Sequence, residues 1–114
     1  HLCGEGFFRS ETGAAFASHA EAARAGLRLA AAKLGDPAYG MVVLDEVCGA
    51  VACGLLEAAA VLDAVGGAAP GTTEVLTGRD ACAELVGLAD TVSRIECVKH
   101  GYDAGWPAQE GVEL

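Results

Sequence analysis

Residues 41–47 read MVVLDEV. Four consecutive apolar residues, β-branched in the middle, offer no polar side to water. The run therefore predicts a strand over Gly40–Asp45, apolar on both faces as inside a parallel sheet. It ends by delivering Asp45 and Glu46 to a sheet terminus. In open parallel sheets, ligands sit beyond the carboxyl ends of the strands. A hard cation such as Mg²⁺ takes oxygen ligands and keeps several waters, so one or two carboxylates suffice to hold it. The plain alternative is two acids in a solvated loop.

The rest of the chain supplies elements to surround this strand. Phe16, Ala20, Ala23, Leu27, Ala30 and Leu34 recur at steps of three and four and predict a helix over Ala14–Leu34. Ser10 or Thr12 could cap it, and Gly35-Asp36-Pro37 ends it. Leu55–Val65 predicts a second helix, with Leu55, Leu56, Ala59, Leu62 and Val65 as its buried stripe. TEVLT, residues 73–77, predicts a second core strand. GRDACAELVGLAD then predicts a short helix capped by Asp80. Thr91–Val98 predicts a third strand, with Ile95 and Cys97 on one face. Helices alternate with apolar strands across short loops, which specifies an α/β fold with a mostly parallel sheet flanked by helices. With 114 residues, residues 1–114 are expected to form a single domain.

Charge narrows the partners. The formal net charge is −9, with seven Lys and Arg in all, and they are scattered. Nucleic acid is excluded as a partner, because phosphate-backbone binding needs clustered cations. An anionic ligand would need help from a metal or a helix N-terminus. No apolar run approaches the roughly 20 residues of a membrane span, so no membrane partner is expected. Five cysteines and no secretory signal point to free thiols in the cytoplasm. Cys48/Cys53 (C-x4-C) and Cys97/His100 (C-x2-H) have half-site zinc spacing, but small buried thiols among alanines are the plainer reading.

Three further stretches carry candidate residues. TGRD, residues 77–80, sets Arg79 at a strand end, where it could reach a phosphate. VKHGYDAG, residues 98–105, sets Lys99 and His100 at the third strand end, although a lone histidine is as readily a structural hydrogen-bonding residue. GEGFF, residues 4–8, sets two aromatics beside two glycines, either as a turn with Phe7 in the core or as an apolar wall for a large planar ligand. Three strand ends would then present Asp45/Glu46, Arg79 and Lys99/His100 to one crevice. No G-x-x-x-x-G-K-[ST] loop occurs in residues 1–114.

Taken together, GEGF, MVVLDE and the stretch from Val75 to Glu113, with T-G-R, E-L-x-x-L-A-D, V-K-H, A-G and A-Q-x-G in order, resemble the ATP:corrinoid adenosyltransferase family. The resemblance runs from about Gly4 to the C-terminus. It implies a P-loop NTPase-like (RecA-like) fold whose N-terminal strand, Walker A loop and helix are absent from these residues. It implies transfer of the 5′-deoxyadenosyl group from ATP to the cobalt of cob(I)alamin or another reduced corrinoid, with release of triphosphate, in cobalamin biosynthesis or salvage. Asp45 and Glu46 would hold Mg²⁺. Arg79 would lie near the nucleotide, and Phe7 would wall the corrinoid. The family usually continues G-x-G-F-T-W-E-T, where this chain has GEGFFRSET, so Arg9 stands at the tryptophan place with Phe8 beside it. The resemblance also implies a homodimer and a flavodoxin- or ferredoxin-type reductant. The alternative is a catalytically inactive remnant of the fold that binds a corrinoid or a partner subunit.

Overall fold

The computed structural model describes residues 13–108. The chain runs α1 (Gly13–Leu34), β1 (Met41–Leu44), α2 (Val47–Ala52), α3 (Ala58–Gly66), β2 (Thr73–Leu76) and α4 (Ala83–Leu88), then a 3-10 turn at Gly101–Ala104. β1 and β2 pair in parallel, in register from Met41 opposite Thr73 to Leu44 opposite Leu76. A parallel pair cannot be closed by a tight hairpin and needs a long crossover, which here carries α2 and α3. The architecture is a small α/β unit with a two-stranded parallel sheet.

α1 forms where expected. Ala20 and Leu34 are buried, and Ala23, Leu27 and Ala30 pack against the core between them. Glu21 pairs with Arg24 and Arg28 on the exposed side. The helix stops at Leu34 because the next residues find other partners. Asp36 Oδ1 accepts the Ala38 N–H at 2.9 Å, and the Leu34 carbonyl accepts the Ala69 N–H at 2.8 Å. That last bond ties the end of α1 to the turn before β2. α1 and α4 both pack on α3, and α1 also packs on β1. Between them lies the core: Leu34, Leu44, Val47, Cys48, Leu56, Val61, Ala64, Val65 and Leu85.

Four expectations are corrected. First, the second helix begins at Ala58 rather than Leu55. Leu55 and Leu56 are buried in the preceding turn, where both N–H groups reach the Ala50 carbonyl. The buried helical stripe is Val61, Ala64 and Val65, while Ala59 is exposed. Second, α2 lies in a stretch read as loop. Six residues are fewer than two turns, too short to show a 3.6-residue period. Third, α4 starts with Cys82 at its N-cap, and Asp80 is in a left-handed turn at φ 55°.

Fourth, residues 91–98 form no strand. A strand needs a neighbour to take its N–H and C=O groups, and among the described residues β1 and β2 pair only with each other. Ile95 and Val98 are 96% and 94% exposed. β1 itself is covered on one face only. Val42 and Leu44 point into the core, whereas Met41 and Val43 are 59% and 53% exposed.

This uneven burial predicts uneven sensitivity. Leu34 is wholly buried, so Leu34→Ala should cost about 2–5 kcal/mol. Ile95→Ser should change stability by less than about 0.5 kcal/mol. Urea denaturation of the two variants beside the parent protein checks both; equal losses would contradict the assigned core.

Candidate functional site

The carboxyl ends of β1 and β2 lie side by side, and the chain beyond each is stitched to the other. Thr77 is the centre of the stitching. Its N–H donates to the Leu44 carbonyl at 3.2 Å, which extends the sheet pairing by one residue. Its carbonyl accepts the Cys48 N–H at 3.0 Å. Its hydroxyl donates to Asp45 Oδ1 at 2.7 Å and accepts the Glu46 N–H at 2.9 Å. One residue thus makes four hydrogen bonds to the turn that carries the acidic pair.

The turn is sharp. Glu46 sits in the left-handed region at φ 59°, ψ 16°, and reverses the chain from β1 into α2. A non-glycine residue there is uncommon, and the bond from its N–H to Thr77 helps hold it. Opposite it, Gly78 has φ 133°, and a Cβ there would lie 2.8 Å from Gly49 N and 3.0 Å from Cys48 Cβ. The two loops approach so closely that only glycine fits without displacement. Asp45 and Glu46 are both exposed. Two carboxylates on one turn suit a hard cation that keeps part of its water shell.

Arg79 follows Gly78 on the same edge and is exposed. Among the described residues it makes no hydrogen bond or ion pair, which leaves its guanidinium available to an anion. Asp45, Glu46 and Arg79 are therefore brought to one edge, as expected. Lys99 and His100 are not at a strand end, because residues 91–98 are not a strand. His100 caps the 3-10 turn, its Nδ1 accepting the Tyr102 N–H at 2.9 Å. With Tyr102, Trp106 and Ala108 it lines a separate open hollow of about 180 Å³. The structural role held open for this histidine is the one observed. Phe7, Phe8 and Arg9 lie outside the described residues.

Among the described residues, no group of three or more His, Cys, Asp or Glu side chains is placed to hold an ion. Burial pushes the Cys48 thiol upward in pKa, and nearby Cys82 adds to it, so Cys48 stays a protonated core residue. Cys48, Cys82 and Cys97 are free. No helix among the described residues is long and apolar enough to cross a membrane.

A family model described as ATP:corrinoid adenosyltransferase BtuR/CobO/CobP matches residues 1–114. The chain belongs to this family. It is 40% identical over 115 residues to a corrinoid adenosyltransferase of Pseudomonas aeruginosa, covering all of this chain and 55% of that protein. It is 41% identical over 80 residues to the corrinoid adenosyltransferase CobA of Salmonella typhimurium, covering 70% of this chain and 41% of that protein. A corrinoid adenosyltransferase of Escherichia coli K12 is 39% identical over a stretch of the same length. The chain thus spans about half the length of the curated relatives it matches. Within this adenosyltransferase-family chain, the residue that sequence reading undervalued is Thr77. It was visible as the polar residue directly after an apolar strand, but nothing local showed that its hydroxyl crosses to Asp45.

The close approach at Gly78 is testable. Gly78→Ala should lose about 1–3 kcal/mol by forcing a strained backbone and parting the loops. Gly87→Ala, in α4 with open space around it, should be neutral or gain up to about 1 kcal/mol. Guanidinium melts of the two variants distinguish them; equal effects would mean the loops are not in close contact.

Proposed function

We propose that the protein transfers the 5′-deoxyadenosyl group of ATP to the cobalt of a reduced corrinoid and releases triphosphate. The observation that carries this reading is the joined edge of β1 and β2. There two carboxylates and a free guanidinium stand at the carboxyl ends of parallel strands, in a chain that belongs to the corrinoid adenosyltransferase family.

Each residue then has a task. Asp45 and Glu46 hold Mg²⁺ on the triphosphate side of ATP. Bound there, the ion would offset the charge ATP already carries and the roughly one further negative charge that develops on triphosphate as the C5′–O bond breaks. Arg79 contributes a fork of donors to phosphate oxygens. It follows Gly78, whose loop touches the start of α2. On resemblance, Phe7 walls the corrinoid and Phe8 extends that wall, while Arg9 stands in contact range of the corrinoid at the family's tryptophan place. An apolar wall disfavours a lower axial ligand on cobalt and makes the nucleophilic Co(I) state reachable.

Residues 1–114 contain no glycine-rich phosphate cradle, and most triphosphate affinity in P-loop sites comes from such backbone N–H groups. The fold is read as P-loop NTPase-like, with helices on both faces of the sheet. The uncovered Met41 and Val43 face supports that reading. A cytoplasmic homodimer served by a flavodoxin- or ferredoxin-type reductant completes the proposal.

The test uses chemically reduced cobalamin, ATP and Mg²⁺, with loss of the Co(I) absorbance as readout. The full-length protein should turn over, and residues 1–114 alone should not. Asp45→Asn and Glu46→Gln should each slow the full-length protein about 100-fold or more. Normal rates in both variants would remove the acidic pair from the site, and no turnover by the parent protein would overturn the function itself.

A further inference from the structure

We propose that Thr77 is a positioning residue that sets the rotation of the Asp45 carboxylate for cation binding. This rests on the reading of Asp45 as a Mg²⁺ ligand. The geometry goes beyond loop stitching. A threonine hydroxyl has one proton to give, and here it goes to Asp45 Oδ1 at 2.7 Å, which fixes that oxygen as an acceptor. The Glu46 N–H, at 2.9 Å, enters the same hydroxyl oxygen from the other side. A donor arriving at the oxygen polarises the O–H it donates, so the two bonds strengthen each other.

The hydroxyl is itself well placed. Thr77 is β-branched, which restricts its χ1, and its N–H and carbonyl are held by Leu44 and Cys48. The chain of constraint runs from the sheet through Thr77 to one carboxylate oxygen. Among the described residues Asp45 Oδ2 has no partner, so it is the oxygen left for a cation. Hydrogen bonds to ligating carboxylates orient them, and removing such partners typically costs 10- to 100-fold in metal affinity. A freely rotating Asp45 would lose that orientation each time the ion left. A second task falls to the same hydroxyl, because it holds the left-handed Glu46 through its N–H and so sets where the second carboxylate begins.

The experiment compares ATP affinity with Mg²⁺ and with EDTA, by titration calorimetry on the full-length protein. The ratio of the two affinities reads the metal's contribution directly and does not depend on turnover. Thr77→Val keeps the shape and removes the hydroxyl, and it should lower the ratio about tenfold. Thr77→Ser keeps the hydroxyl and should hold the parent ratio. Thr77→Cys, a weak donor, is the second variant should valine disturb folding, and it should lower the ratio as valine does. If Thr77 only stitches loops, valine or cysteine will lower the melting temperature and leave the ratio unchanged, which overturns the proposal. Asp45→Asn separates the two levels. If it collapses the ratio while Thr77→Val does not, Thr77 alone is misassigned. If it leaves the ratio intact, the metal reading fails and this inference falls with it.

Discussion

Parallel pairing of two four-residue strands is the constraint on which the rest depends. β1 and β2 are held in register from Met41/Thr73 to Leu44/Leu76, and Thr77 carries the pairing one residue beyond the sheet. Parallel pairing puts both carboxyl ends at the same edge. Antiparallel pairing would have sent Asp45 and Arg79 to opposite edges. The site therefore follows from strand direction before any side chain is considered, and strand direction follows from the crossover through α2 and α3. The core enforces that crossover, because Val47, Cys48, Val61, Ala64 and Val65 must be covered and the sheet's inner face is where they find cover.

Legibility in the sequence tracked the length and strength of each local pattern. α1 was readable to within a residue because 22 residues show six regular apolar positions. β1 and β2 were readable because four-residue apolar or β-branched runs between turn signals have few other uses. α2 was not, because a six-residue helix is defined by what it packs against. The stretch 91–98 failed for the opposite reason. Its alternating apolar residues state a preference for pairing, and a preference is satisfied only where a neighbouring strand is in reach. The strand-end placement of the acidic pair and Arg79 was legible from the apolar runs alone. Lys99 and His100 were set at a strand end by a strand that is absent. The role of Thr77 was not legible, since a hydrogen bond spanning 32 residues has no local signature.

The incomplete cover of β1 and the shape of the site have a common origin. A site made by backbone loops at a sheet edge needs the sheet to be rigid. A two-stranded parallel sheet with one face open is a weak support by itself. Here rigidity comes from local means: four hydrogen bonds on Thr77, a left-handed Glu46, and a glycine contact at Gly78 that leaves no room for slack. The acidic pair is held by its neighbouring loop more than by the mass of the fold. That division of labour explains how the Asp45 carboxylate can be both exposed to solvent and fixed in direction.

The same arrangement bears on how acid and base share the edge. With Asp45, Glu46 and Arg79 on adjoining turns, a direct Asp45–Arg79 ion pair would be the expected outcome in a chain of this charge. It does not form. Asp45 takes the neutral hydroxyl of Thr77 instead, and Arg79 is left without a partner among the described residues. A surface ion pair there would contribute little to stability and would satisfy both groups internally. A neutral donor orients the carboxylate while leaving its charge uncompensated, and an uncompensated carboxylate attracts a cation. Arg79, equally uncompensated, attracts an anion. An edge that keeps opposite charges apart is suited to a ligand carrying both, and a metal-bound polyphosphate is such a ligand.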